Sequence, residues 1–355
     1  MPRPLKQLAV LTLLLSAGVS LVLMPGSAPA GQAPPQAPPS RPVAALSPYA
    51  DLHAHLDPPD VDGAIQALLE AMPGENLAKA VFLPSPFVLD SPGRFDAELL
   101  APIARKYPEK VAFLAGGGTL NPMLQESARS GDAGPEVQRR FKERAEEILG
   151  LGAKGFGEMT TEHFPSSTPY EYAPTDHPLL LILADVAAEH DVPISLHMEA
   201  APQDMPLPSE LKSPPNPPRL HANIAALERL LAHNPRAKIV WAHLGWDNTG
   251  HRTPELCRRL LQAHSNLYME LKIDPVSVGK NSPLASGATG AIQPEWLRLI
   301  QDFPERFVMG TDQHYPMPKA GPQRWQAAVS LLNQLPGEVR RKVALENAVR
   351  IYHLK

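Results

Sequence analysis

The stretch Tyr49–Leu56 reads YADLHAHL. In an extended chain, side chains two apart point the same way, so His53 and His55 can grip one ion together. Taken alone, His-x-His says little in a chain with 13 histidines. Its weight comes from three further strand candidates that finish on a ligand-type residue. Val192–Leu196 runs into His197, Lys238–Ala242 into His243, and Phe307–Thr311 into Asp312. One such histidine is more often a core or surface residue than a ligand. Four placements at the same end of their strands point to a metal site.

Outward from these segments, short β-branched or apolar runs alternate with longer stretches of helical period. The strand candidates are Ala50–His53, Ala78–Leu83, Val111–Ala115, Ala153–Gly157, Pro193–His197, Lys238–His243, Asn266–Glu270 and Arg306–Gly310. Between them lie amphipathic stretches such as Val61–Met72, Pro135–Leu149, Pro178–His190, Ala222–His233 and Pro254–Ala263. In Ala222–His233, for example, Ile224, Leu227, Leu230 and Leu231 recur at helical spacing. Strands alternating with helices imply a parallel sheet, since each parallel crossover needs a covering element. Eight strands predict an α/β fold of the (β/α)8 barrel type, with the site at its C-terminal mouth. A doubly wound sheet is disfavoured: Gly116-Gly117-Gly118 follows the third strand but lacks the spacing of a phosphate loop. A Pro-rich insertion, Ala201–Pro218, and a Gly/Ser-rich one, Gly279–Ala291, would lie on that C-terminal face.

Composition narrows the function classes. The chain has 355 residues, 43% of them apolar, and a net charge of −4. With no basic excess to neutralise phosphates, no nucleic-acid partner is expected. Cys257 is the one cysteine, so disulfide scaffolds, zinc fingers and iron–sulfur centres are excluded. At the N-terminus, Arg3 and Lys6 precede an uncharged apolar run, Leu8–Met24, and then Ser27-Ala28-Pro29-Ala30. This is the order of a secretory signal peptide, so residues 1–30 are expected to be cleaved and the protein exported, periplasmic or secreted. The alternative is a retained N-terminal membrane anchor, for which a mainly apolar run of 17 residues is a borderline length. Removing the leader leaves a net charge of −6. Residues 31–48, rich in Pro and Ala, read as an extended spacer, and residues 49–355 as the barrel.

Five segments together resemble the amidohydrolase superfamily, in its amidohydrolase-related (amidohydrolase-2) branch. They are YADLHAHL (Tyr49–Leu56), PISLHME (Pro193–Glu199), KIVWAHLGWDN (Lys238–Asn248), FVMGTDQHYP (Phe307–Pro316) and LENAVRIY (Leu345–Tyr352), in the family's order. The resemblance implies a distorted barrel with one or two divalent metals at its mouth. It makes His53, His55 and His197 metal ligands. His243 would be a second-metal ligand or a group that polarises substrate, and Asp312 a weak ligand that takes the proton from the attacking water. On the fourth strand, Glu158 resembles the carboxylate of the superfamily's deoxyribonuclease-like relatives and is the favoured bridging ligand. A merely site-lining role for Glu158 and a carboxylated Lys154 are the alternatives.

Four residues are candidate substrate contacts. His163 follows Glu158 on a loop, and Glu199 lies two beyond His197 and so faces the same way. Lys272, after the seventh strand, can meet an anionic group, and Trp246 shapes the mouth. Imidazole and carboxylate form a borderline donor set that suits zinc first, then manganese, iron or nickel. The expected activity is hydrolysis, by a metal-activated water, of an amide, lactone, ester or phosphoester in a small molecule. The alternatives are a metal-dependent decarboxylase of the same branch and an exported binding protein without chemistry. No stable membrane contact is expected after cleavage, and the sequence leaves the oligomeric state and the substrate open.

Overall fold

The structure, a computed structural model, describes residues 48–355 apart from 92, 164–170, 210–215, 274–283, 287–288 and 317–323. The expected leader and all of the spacer but Pro48 lie outside the described residues.

The strands and helices alternate along the chain. The strands are β1 (Tyr49–Leu56), β2 (Leu77–Phe82), β3 (Val111–Phe113), β4 (Ala115–Gly116), β5 (Phe156–His163), β6 (Glu171–Tyr172), β7 (Pro193–Met198), β8 (Met205–Pro206), β9 (Arg219–Leu220), β10 (Lys238–Leu244), β11 (Leu267–Leu271), β12 (Phe307–Met309) and β13 (Gln313–Tyr315). The covering helices include α1 (Val61–Glu75), α2 (Ala97–Lys106), α3 (Leu120–Ser130), α4 (Pro135–Gly150), α5 (Pro178–Glu189), α6 (Ile224–His233), α7 (Pro254–Ala263) and α8 (Pro294–Asp302). At the end of the chain come α9 (Arg324–Gln334), α10 (Gly337–Arg341) and α11 (Asn347–Tyr352). Proline explains four of the helix starts. Pro135, Pro178, Pro254 and Pro294 each stand in the first turn, where the fixed φ suits a helix and the missing N–H costs nothing.

Two parallel sheets make up the barrel wall. One has the order β13-β1-β2-β3, and the other β12-β11-β10-β7-β5-β4 with β6 antiparallel on β5. The third and eighth barrel strands are each divided between the sheets. Val111–Phe113 pairs with β2 and Ala115–Gly116 with β5, while Phe307–Met309 pairs with β11 and Gln313–Tyr315 with β1. At both junctions single backbone bonds continue the wall, Leu114 N to Phe82 O on one side and Asp312 N to His53 O on the other. The result is the distorted (β/α)8 barrel that the alternation predicted. β8, within the Pro-rich insertion, pairs antiparallel with β9, just beyond its end.

Both faces of the wall are buried, as parallel strands require. Ala50, Leu52, Val81, Leu83, Val240 and Val308 pack together inside, and Ile351 and Tyr352 of α11 close that cluster from below. A larger apolar layer lies between strands and helices, holding Trp241, Trp296, Phe141 and Cys257. Cys257 is fully buried there, and burial pushes its thiol up to about 12, in keeping with a small core hydrophobe. Among the described residues, no helix is long and apolar enough to cross a membrane.

Candidate metal centre

Three strands that carry expected ligands have a register irregularity next to them. On β1 the shift falls between Asp51 and Ala54, on β10 between Trp241 and Leu244, and on β5 between Phe156 and Met159. Such irregularities re-aim side chains at barrel rims. Here Ala50 and Leu52 join the inner apolar cluster, and past the shift His53 and His55 converge with residues from four other strands or strand ends. His243 and Asp312 also have left-handed backbones, with φ of 63° and 56°. That conformation costs energy in a non-glycine residue and persists where the surroundings impose it, most often at functional sites.

The converging side chains form two overlapping ligand sets that share His53. One is His53, Glu158 and His243; the other is His53, His55 and Asp312. Glu158 stands at the centre. Its Oε1 lies 2.7 Å from His197 Nδ1 and 2.9 Å from His243 Nε2, and its Oε2 lies 3.5 Å from His53 Nε2 and 3.8 Å from His55 Nε2. Asp312 Oδ1 is 3.0 Å from His55 Nε2 and 4.0 Å from His53 Nε2. A divalent ion fits this arrangement. The buried Nε2 of His53 has no hydrogen-bond partner yet faces carboxylates of both sets, and neutral imidazole with carboxylate is the donor set of a transition-metal site.

The electrostatics follow from this crowding. Burial alone would lower the His53 pKa, but the carboxylates of Glu270 and Glu158 hold its imidazolium well above the usual range. Burial likewise opposes ionisation of Glu158, yet His53 and the hydrogen bonds from His197 and His243 keep it well below the ordinary carboxylate range. Asp312 is held well below its usual value, against burial, by Lys272, His55 and Arg324. Burial pushes His197 down to about 4 and keeps His243 neutral, with Lys272 and His53 adding to the effect on His243. Within the cluster the imidazolium form is thus favoured at His53 and disfavoured at His55, His197 and His243.

All six expected ligands come together here, and the substrate candidates divide. The His163 ring packs edge-on against His197 at 4.7 Å. Lys272 hydrogen-bonds to Asp312 Oδ2 and lies 4.4 Å above the Trp246 ring, so both residues border the cluster. Lys272 is thus already paired with a carboxylate of the site. Glu199 directly follows β7, which ends at Met198. Its carboxylate accepts from the Asn248 backbone and side chain, tying down the loop after β10. The fourth strand also starts later than expected, at Phe156, and runs on through Glu158 to His163. Lys154 precedes it, with its backbone N–H on Phe113 O, and lines a cavity of about 260 Å³ with Lys79, Val111 and Lys355 at the strand starts. It lies at the opposite end of the barrel from the histidines, which removes the carboxylated-lysine alternative.

Three contributors escaped the sequence reading. Glu270 lies in β11 under His53 and His243. Arg324, at the start of α9, reaches Asp312 Oδ2 at 2.9 Å. Asp51 accepts hydrogen bonds from His53 N, Thr311 N and Thr311 Oγ1, locking β1 to the strand end that bears Asp312. For Glu270 a signal existed. It stands two residues before Lys272, so alternation on a strand gives both the same face.

Comparison with known proteins gives the following. The model of a family described as amidohydrolase matches residues 50–354. No curated protein matches the chain. Among solved structures, 2,6-dihydroxybenzoate decarboxylase in complex with 2,6-dihydroxybenzoate is similar at 16% identity and a TM-score of 0.51, over 87% of this chain and 99% of that one. A probable 2-pyrone-4,6-dicarboxylic acid hydrolase from Acinetobacter baumannii with citric acid bound is similar at 10% identity and a TM-score of 0.45, over 86% and 99%. A manganese-bound 5-carboxyvanillate decarboxylase from Novosphingobium aromaticivorans is similar at 15% identity and a TM-score of 0.47, over 88% and 98%. At 16% identity the likeness to 2,6-dihydroxybenzoate decarboxylase is one of fold.

Proposed function

The chain belongs to the amidohydrolase family, and from that premise we propose that it is a metal-dependent hydrolase of a small molecule carrying an amide, lactone, ester or phosphoester bond. One observation carries the reading: Glu158 lies within 3.8 Å of four histidine nitrogens, in a cluster of two donor sets that share His53. A carboxylate so placed would help hold a pair of divalent ions, which can activate a water and stabilise the charge that develops in a hydrolytic displacement. A bound divalent ion, with zinc the first choice and manganese, iron or nickel open, would supply a water with a pKa of roughly 7 and a Lewis acid for the scissile bond.

The chain's own residues account for the rest. The Asp312 carboxyl is held in its ionised form, with Lys272 and Arg324 on Oδ2 and His55 on Oδ1; with His55 turned to a bound ion, Oδ1 would orient the attacking water and accept its proton. Neutral His243, hydrogen-bonded to Glu158, would help hold the second ion; with a single ion bound it would instead polarise the substrate oxygen as charge develops on it. Lys272, Trp246 and His163 line the approach and would hold the substrate. The test is turnover of metal-loaded protein on a panel of lactones, amides, esters and phosphoesters. Cleavage of at least one class is expected, and no cleavage of any class sinks the proposal.

A decarboxylase is the second reading. It is favoured by Lys272 and Arg324, two cations on one oxygen of Asp312 that a substrate carboxylate can take over. Release of CO2 from carboxylic acids in the same panel, with no hydrolysis, would select it. We also propose export, because Leu8–Met24 has the character of a signal peptide. N-terminal sequencing of protein recovered from the cell exterior or periplasm is expected to begin at Gly31; an intact Met1 would contradict cleavage.

A further inference from the structure

Glu270 is fully buried on β11, and its carboxylate faces two imidazole rings. Its oxygens lie 3.0 and 3.1 Å from His53 Nδ1, and Oε1 lies 3.6 Å from His243 Nδ1. The opposite nitrogen of each ring, Nε2, faces Glu158, at 3.5 Å from His53 and 2.9 Å from His243. Both rings thus stand between the same two carboxylates: Glu270 hydrogen-bonds His53 Nδ1 and Glu158 hydrogen-bonds His243 Nε2, while Glu270 faces His243 Nδ1 at ion-pair distance only. Gly310 makes this arrangement possible: a Cβ there would stand 2.4 Å from the Glu270 Cδ.

A purely structural role fits poorly. A carboxylate removed from water costs several kcal/mol unless it is paired, and an apolar side chain of similar volume usually serves packing at least as well. Among the described residues, the ion-pair partners of Glu270 are these two histidines. A histidine that ligates a metal commonly donates its other N–H to a carboxylate, which fixes the tautomer and the ring.

We propose that Glu270 is a positioning residue that sets the tautomer and orientation of His53 through a hydrogen bond and, through its charge, orients the ring of His243, so that both Nε2 atoms face the metal site. Because His53 belongs to both ligand sets, this one carboxylate governs both. The inference rests on the metal-site reading, and its test keeps the two apart.

The dissociation constants of Zn2+ and Mn2+ are measured for the parent protein, Glu270→Gln and Asp96→Asn, together with metal-free unfolding temperatures. Asp96 is a buried carboxylate outside the site that binds Gly116 N and Thr119, and so it reports a general loss of packing. Glu270→Gln is expected to weaken binding roughly 10- to 100-fold. It should also alter the visible spectrum of the Co2+-loaded protein, while Asp96→Asn lowers the unfolding temperature and leaves metal affinity unchanged. Affinity within about twofold of the parent in Glu270→Gln, or an equal loss in Asp96→Asn, overturns the positioning role. If Glu270→Gln does not fold, Glu270→Asp, which keeps the charge but withdraws it, is measured in the same way with the same two outcomes. A parent that takes up neither ion overturns the metal-site reading itself; a parent that binds while the Glu270 variant binds equally well overturns only the positioning.

Discussion

Replacing Asp312 with Asn is expected to lower turnover about 10²- to 10⁴-fold, the range that a positioned general base contributes. Asparagine keeps the size of the side chain and one oxygen, so much of the metal should remain. What goes is the proton acceptor. Three cationic or imidazole groups hold Asp312 in place, His55 on Oδ1 and Lys272 and Arg324 on Oδ2. Removing its charge leaves buried Lys272 beside a neutral amide, so some stability should be lost as well. The two effects separate when kcat is measured at saturating metal below the unfolding temperature. Undiminished kcat in Asp312→Asn would remove it from the chemistry.

His53→Ala is expected to have the larger effect on metal. His53 is common to both ligand sets, whereas His55, His243, Glu158 and Asp312 each serve one. Its loss should weaken binding more than about 100-fold, beyond what the loss of an outer-shell partner costs. His55→Ala and His243→Ala should each leave one set of donors partly intact and so retain more metal. A pH dependence accompanies this. In the metal-free protein Glu270 and Glu158 hold the proton on His53 well above the normal range. An incoming ion must displace that proton, so affinity should rise as pH rises and fall as pH falls. Equal metal retention by His53→Ala and His55→Ala would contradict the shared position of His53.

The ligand residues were legible in the sequence because parallel barrels gather the C-terminal ends of their strands, and His197, His243 and Asp312 each follow an apolar run. Strict alternation, however, was only locally right. Ala50 and Leu52 face the inner core, yet His53 and His55 face the site, because the ladder shifts register between Asp51 and Ala54. A shift of that kind depends on the neighbouring strand, and nothing in YADLHAHL announces it. The same dependence hid the division of the third and eighth strands between two sheets. Glu270 reads locally as an interior strand residue. Its partners His53 and His243 lie 217 and 27 positions away and meet it only when the barrel closes. Arg324 follows residues outside the described set, and its reach to Asp312 has no counterpart in local pattern.

The central claim is that His53, His55, Glu158, His197, His243 and Asp312 assemble a divalent-metal site. Elemental analysis of the protein, after loading with Zn2+ or Mn2+ and removal of free ion, tests it most directly. One or two ions retained per chain, and none in His53→Ala, is the predicted result; a parent protein that retains no ion under any loading condition would contradict it.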